Sequence, residues 1–222
     1  MKIGIMQPYF FPYIGYFQLI DAVDIFVNLD HVSFMKRSYM VRNKIKDDIN
    51  INVPVIKGSQ NKSCCETYVN FSNHFVPKFI KKLKHLYSKE KNYEIVLNYI
   101  ILPNFIDSKI SISNFNLKII KNVCQYLDIK TKIIDSSLNI TNKNKEEGLK
   151  EIVHKLNGDT YINPIGCQSL YNKKDFKKSN INLFFIKMDD VEFNNKFSSI
   201  LDILFLYDKE HIKQQLKKYS LI

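Results

Sequence analysis

Residues 3–6 form a short apolar run, Ile3-Gly4-Ile5-Met6, that stops at Gln7 and Pro8. A helical pattern through Phe17, Leu19 and Ile20 follows, and then a second apolar run over residues 23–27. Apolar runs of this length, bounded by proline and polar residues, read as buried strands. A strand, loop, helix and strand in that order build a parallel pair, and ligands of parallel sheets sit where loops leave the carboxyl ends of the strands. Residues 7–13 and 28–34 are therefore placed at a ligand-binding edge.

The rest of the chain repeats this rhythm. Residues 49–56 alternate around Pro54 as an edge strand or extended arm, and residues 58–66 are a polar loop. Phe75, Val76, Phe79, Ile80, Leu83, Leu86 and Tyr87 recur at helical spacing, with Lys81, Lys82 and Lys84 opposite. Leu117, Ile120, Val123, Cys124 and Leu127 mark a further helix, and residues 131–134 a strand. Leu149, Ile152, Val153 and Leu156 mark a helix ending at Gly158, a residue type favoured just past a helix terminus. Tyr161 and Ile162 make a short strand, residues 183–186 form another, and residues 199–207 and 212–219 read as helical. Strands separated by helices imply an α/β fold with a mainly parallel, Rossmann-like sheet. A chain of 222 residues that is 45% hydrophobic can bury such a core unaided. One domain over residues 1–222 is expected, with a helical insertion at about 73–128.

The net charge of +11 predicts attraction to polyanions, nucleotides or acidic carrier proteins. Lysines are scattered through every segment rather than gathered in one stripe, so no nucleic-acid partner is expected. Arginine usage is more selective. Only two of the 33 basic residues are arginines, Arg37 and Arg42, and they share one short segment. A guanidinium grips phosphate or carboxylate through two parallel hydrogen bonds, which an ammonium cannot reproduce. Either these arginines bind a ligand anion or they pair with core carboxylates.

Cys64, Cys65, Cys124 and Cys167 show no metal spacing and read as ordinary thiols of a reducing compartment. His74 and His85 read as capping or surface residues. The N-terminus lacks signal-peptide features, and no apolar stretch is long enough to span a bilayer, so a cytoplasmic protein is expected. No metal and no tightly bound cofactor are implied.

Two clusters carry the candidate chemistry. In the first loop, Gln7, Tyr9 and Tyr13 are candidate substrate contacts and an aromatic platform for a sugar or base, while Phe10 and Phe11 read as packing residues. In the second, Asp30 and His31 are the acid/base candidates, because imidazole titrates near neutrality and a carboxylate can orient it. Neighbouring strand residues point to opposite faces, so one of the two is expected to face the site. Lys36, Arg42 and Asn43 together suit a diphosphate or carboxylate.

This opening resembles the nucleotidyltransferase superfamily that includes pantothenate synthetase, in which an H-x-G-H motif begins the first helix. Here Tyr13-Ile14-Gly15-Tyr16 occupies that place, keeping the glycine and replacing both histidines. A phenol is a poor substitute for imidazole in stabilising a triphosphate at neutral pH. A more extensive resemblance rests on Gln-Pro-Tyr-x-x-Pro-x-x-Gly-Tyr-Phe at Gln7 to Phe17, on Asp-x-Phe-Val-x-x-Asp-x-Val at Asp24 to Val32, and on Tyr39 with Arg42-Asn43. Tyr161-Ile162-Asn163-Pro164-Ile165-Gly166 with Leu170-Tyr171 and Phe176, and Ser199-Ile200-Leu201-Asp202, continue it. The chain is thereby similar to the WbqC-like family of bacterial surface-polysaccharide gene clusters. It departs from that pattern at His31, at Tyr39 where tryptophan is usual, and in the absence of a Tyr-x-Gln element over residues 188–196.

The resemblance implies an N-acyltransferase that attaches glycine or another acyl group to the amino group of a nucleotide-linked amino sugar in O-antigen assembly. Asn163 and Tyr171 then join the substrate-binding candidates, while Ser199 and Asp202 could cap a helix. The implied donor is a thioester of coenzyme A or of an acyl carrier protein, or ATP plus acid. An acyl-adenylate-forming enzyme and a non-catalytic glycan-assembly protein are the alternatives.

Overall fold

The computed structural model describes residues 1–72, 74–106, 109–135 and 145–222. The chain begins with β1 (Lys2–Met6), α1 (Ile14–Asp21), β2 (Ile25–Asn28), β3 (Arg42–Ile45) and β4 (Ile49–Asn52). The helices α2 (Phe75–Tyr87), α3 (Tyr93–Val96) and α4 (Ile112–Tyr126) follow, then β5 (Lys132–Asp135), α5 (Lys145–Lys155) and β6 (Thr160–Pro164). The chain closes with α6 (Lys173–Lys178), β7 (Asn182–Met188), α7 (Ile200–Leu206), α8 (Lys209–Leu216) and β8 (Tyr219–Leu221). The expected α/β architecture is present: a six-stranded sheet in the order β5-β2-β1-β6-β7-β8, parallel except for the antiparallel β7–β8 edge.

Strand alternation divides the core into two layers. Ile3 and Ile5 of β1, with Ile25 and Val27 of β2, face Leu149, Ile152 and Val153 of α5 and Phe176 of α6. Phe26 of β2 and Ile162 of β6 face the larger layer, built from α1, α2, α4, α7 and α8. Gly4 lies on that side too, where an added Cβ would sit 3.3 Å from Val23, so α1 packs close against β1. Helices α2 to α4 lie between β4 and β5 and feed Phe79, Leu83, Tyr87 and Phe115 into the larger layer. The expected insertion at 73–128 includes residues 73 and 107–108, which lie outside the described residues. No helix among the described residues is long and apolar enough to cross a membrane.

The segment 49–56, expected as an edge strand or extended arm, supplies a strand over its first half, which pairs with Arg42–Ile45 as a separate two-stranded hairpin. Two local expectations are corrected. The helix expected over 212–219 ends at Leu216, and Tyr219 instead begins β8 at the sheet edge. Gly158 does not adopt the left-handed cap conformation, which Asn157 takes instead with φ 55°. The glycine is required by packing, since a Cβ there would lie 2.6 Å from Ile3.

Candidate active site

Strand order reverses between β1 and β6: the chain moves from β1 to β2 and β5 on one side, then returns to β6 on the other. A crevice opens at such a switch point, at the carboxyl ends of the strands. The loop over residues 7–13 forms one wall, and its backbone is pinned from several elements. Tyr16 donates its hydroxyl to the Gln7 carbonyl at 2.9 Å, and Asn116 of α4 donates to the Pro8 carbonyl at 3.1 Å. Asn43 donates to the carbonyls of Phe10 and Phe11 at 3.2 and 2.7 Å. The Ser199 hydroxyl also donates to the Phe11 carbonyl, at 2.8 Å, and the Ile200 amide to that of Pro12 at 2.9 Å. Phe11 itself has φ 43°, a conformation that a bulky residue adopts only when its surroundings enforce it.

This clamping sorts the loop by exposure. Pro8, Phe10, Phe11 and Pro12 are buried, while Gln7, Tyr9 and Tyr13 are half-buried along the crevice. Gly15 makes room for one of them, because a Cβ there would lie 2.4 Å from the Tyr13 ring. Tyr9 packs 5.8 Å from Tyr39, and Tyr13 packs 6.2 Å from Phe197, ring centre to ring centre. Tyr39 and Phe197 are 61% and 66% exposed, so this aromatic wall has one open side.

The β6 side contributes Asn163, which is buried, with Cys167 and Tyr171, which are half-buried. Burial and then the neighbouring Cys167 push the phenols of Tyr9 and Tyr13 upward, so both remain hydrogen-bond donors at neutral pH. Cys167 is pushed up by burial against a lowering hydrogen bond with Asn163.

Beside the aromatic wall lies an open cleft of about 560 Å³, lined by Arg37, Arg42, Lys44 and Asn195 and sharing Tyr39 and Phe197 with the wall. Both arginines are exposed, and among the described residues neither pairs with a carboxylate, which removes the core-pairing alternative. Lys44 does pair, with Asp48 at 3.2 Å. Lys36, grouped by sequence with Arg42 and Asn43, lines a separate neighbouring cleft with Met35 and residues 58–61, and Arg37 borders both clefts. Asn43 borders the arginine cleft, but its amide nitrogen is directed to the first loop and its oxygen accepts from the Lys44 amide.

Asp30 and His31 lie beyond the end of β2, where strand alternation no longer applies, and the expectation that they face apart fails. Asp30 Oδ1 is 3.5 Å from His31 Nε2. On the opposite side of the imidazole, Nδ1 lies 3.7 Å from Cys65 Sγ, an association the sequence reading missed. Ser199 caps α7 through the Leu201 amide, as its position suggested. Asp202 is not a cap: it accepts from the Tyr87 hydroxyl at 2.5 Å and from the Lys46 amide at 3.1 Å, tying both α2 and the β3–β4 hairpin to α7.

A family model described as the WbqC-like protein family matches residues 7–214, a span that includes every residue placed around the crevice. An uncharacterized protein of Mycobacterium tuberculosis is 24% identical over 215 residues, covering 92% of this chain and 93% of the relative. No solved structure matches the chain.

Proposed function

The chain belongs to the WbqC-like protein family, and on that premise we propose that it transfers a glycyl or other acyl group to the amino group of a nucleotide-linked amino sugar in surface-glycan assembly. The observation that carries this reading is the convergence of both arginines on one aromatic-walled cleft at the carboxyl edge of the sheet. A sugar nucleotide needs a clamp for its diphosphate and a flat surface for its sugar or base. Paired guanidinium groups and tyrosine rings supply those functions.

Arg37 and Arg42 take the diphosphate, and Tyr9, Tyr13 and Tyr39 stack against sugar or base. Gln7, Asn163 and Tyr171 bond polar groups of the sugar, while Lys36 meets a phosphate of the acyl donor from the neighbouring cleft. Asn43 acts as a positioning residue for the first loop. The sugar ammonium must lose a proton before its nitrogen can attack a carbonyl, and His31, oriented by Asp30, is the base. An acyl-adenylate mechanism is less well supported, because Tyr16, at the second histidine place of the H-x-G-H pattern, is buried and bonded to the Gln7 carbonyl.

The test is mass spectrometry of dTDP- and UDP-linked amino sugars incubated with the protein and thioester donors, coenzyme A- or carrier-protein-bound, or with ATP plus acid. An amide product with a thioester is the expected result. Absence of amide with every donor overturns the reading, and pyrophosphate release with ATP plus acid would favour the adenylate route.

A further inference from the structure

The geometry points to Cys65 as an acyl-accepting nucleophile in a Cys65–His31–Asp30 triad, so that the acyl group passes through an S-acyl-cysteine formed from a phosphopantetheine-type thioester. This rests on the acyl-transfer reading and deepens it by naming the donor class and a covalent intermediate. The arrangement arises from chain pairing. Ser33 and Ser63 form an antiparallel bridge, flanked by bonds from the Phe34 amide to the Lys62 carbonyl and from the Cys64 amide to the Val32 carbonyl. Two residues before Ser33 and two after Ser63, on the same face of that ladder, His31 and Cys65 stand opposite one another.

The three groups have the order that nucleophilic catalysis requires: a nucleophile within reach of a base, and the base oriented by a third group. Cys65 Sγ lies 3.7 Å from Nδ1 of His31, and Asp30 Oδ1 lies 3.5 Å from Nε2. A carboxylate beside Nε2 favours the tautomer that carries its proton there, which leaves Nδ1 as the base facing sulfur. Ser63 Oγ is 3.0 Å from the same sulfur, but it directs its hydroxyl proton to Glu66 at 2.6 Å and so offers the thiol a lone pair. His31 is the group placed to take the thiol proton, and Glu66, bonded to Ser63 and with Lys62 beside it, is the neighbouring charged group. Among the described residues no other cysteine lies against an imidazole: Cys64 and Cys124 are buried, and Cys167 faces tyrosines. The paired segments run on from Ser33 and Ser63 into the cleft of Lys36, Arg37 and residues 58–61, where cationic side chains suit the donor's phosphate.

In the forward step His31 Nδ1 takes the Cys65 proton, and the sulfur attacks the carbonyl carbon of the donor thioester. The tetrahedral adduct expels the donor thiolate, which takes the proton back from His31. The sugar amine then attacks the S-acyl carbon, His31 accepts the ammonium proton, and the Cys65 thiolate leaves and is reprotonated. The sum is one thioester and one amine converted to one thiol and one amide.

Iodoacetamide labelling of the full chain, read peptide by peptide, tests the activation without any donor. Cys65 should label about tenfold faster than Cys167, which is also half-buried, and His31→Asn should remove that advantage. Equal rates, or no effect of His31→Asn, overturn the triad. Acetyl-coenzyme A and an acetylated carrier protein, offered in separate arms, should leave a hydroxylamine-labile acetyl group on Cys65, absent in Cys65→Ala; whichever arm loads it identifies the source. Amide formation by Cys65→Ala at the wild-type rate overturns the covalent intermediate while leaving the acyl-transfer reading intact. Loss of amide formation in the wild-type protein would instead remove the acyl-transfer reading itself.

Discussion

The loop over residues 7–13 and the segment over residues 30–39 leave neighbouring parallel strands, yet they are held in different ways. In the first, side chains from α1, α4, β3 and the cap of α7 bind the backbone carbonyls of Gln7, Pro8, Phe10 and Phe11, and the buried residues outnumber the half-exposed ones. In the second, a short ladder with residues 62–64 supplies the pairing, and His31, Lys36, Arg37 and Tyr39 extend into solvent. The first region has a fixed shape, and the second presents charged and polar side chains to solvent. Polar residues near a site therefore divide into those that hold the backbone, such as Asn43, and those with free ends, such as Arg42. Substitutions should separate the two kinds.

The largest effect is expected at Asn43→Ala. It strips the Phe10 carbonyl of its amide partner and weakens the hold on the strained Phe11, so urea unfolding should show a loss of about 3 kcal/mol. A loss below about 1 kcal/mol would contradict the clamp. Arg42→Ala should reverse the pattern: an unchanged unfolding midpoint, but sugar-nucleotide binding weakened by about 2 kcal/mol in calorimetry, with Arg42→Lys recovering only part of it. Tyr39→Ala should weaken the same binding by about 1 kcal/mol with no cost to folding.

The smallest effect concerns pH. Hydrogen bonds from Ser63 hold the Glu66 carboxyl below its usual range. A depressed carboxylate stabilises the fold above its unfolded value, about 4.3, and that contribution is lost as pH falls through the lower folded value. Amide NMR shifts of Ser63 should therefore move on acidification toward that lower value, while those of residues 7–13 stay put.

The sheet was legible because buried parallel strands leave continuous apolar runs, and residues 3–6, 25–27 and 183–186 all do so. The β3–β4 hairpin was not, because Arg42–Ile45 carries three polar residues in four and its turn uses Asp47 and Asp48 at φ 57° rather than a glycine. The three-residue β8 follows helical spacing too closely to be distinguished from it. At the site, Gln7, Tyr9, Tyr13 and the arginine pair were legible as residue types unusual for their surroundings. Their division between two clefts was not, since Lys36 and Arg42 are close in sequence but diverge around the turn at residues 36–40. Cys65 was missed because it meets His31 across 34 residues of chain, and local periodicity carries no such information.

The clamp on Phe11 also sets a timetable. The Ser199 hydroxyl that holds its carbonyl lies 188 residues downstream, whereas β1, α1 and β2 can associate as soon as they are made. During synthesis the early strands therefore emerge long before the loop has all its partners: Tyr16, Asn43 and Asn116 come first, and the Ser199 and Ile200 bonds are added only when α7 docks. A chain shortened before residue 199 would retain the sequence of the crevice wall and its earlier clamps while lacking the Ser199 bond, so the strained turn at Phe11 is completed by a contact made late in assembly.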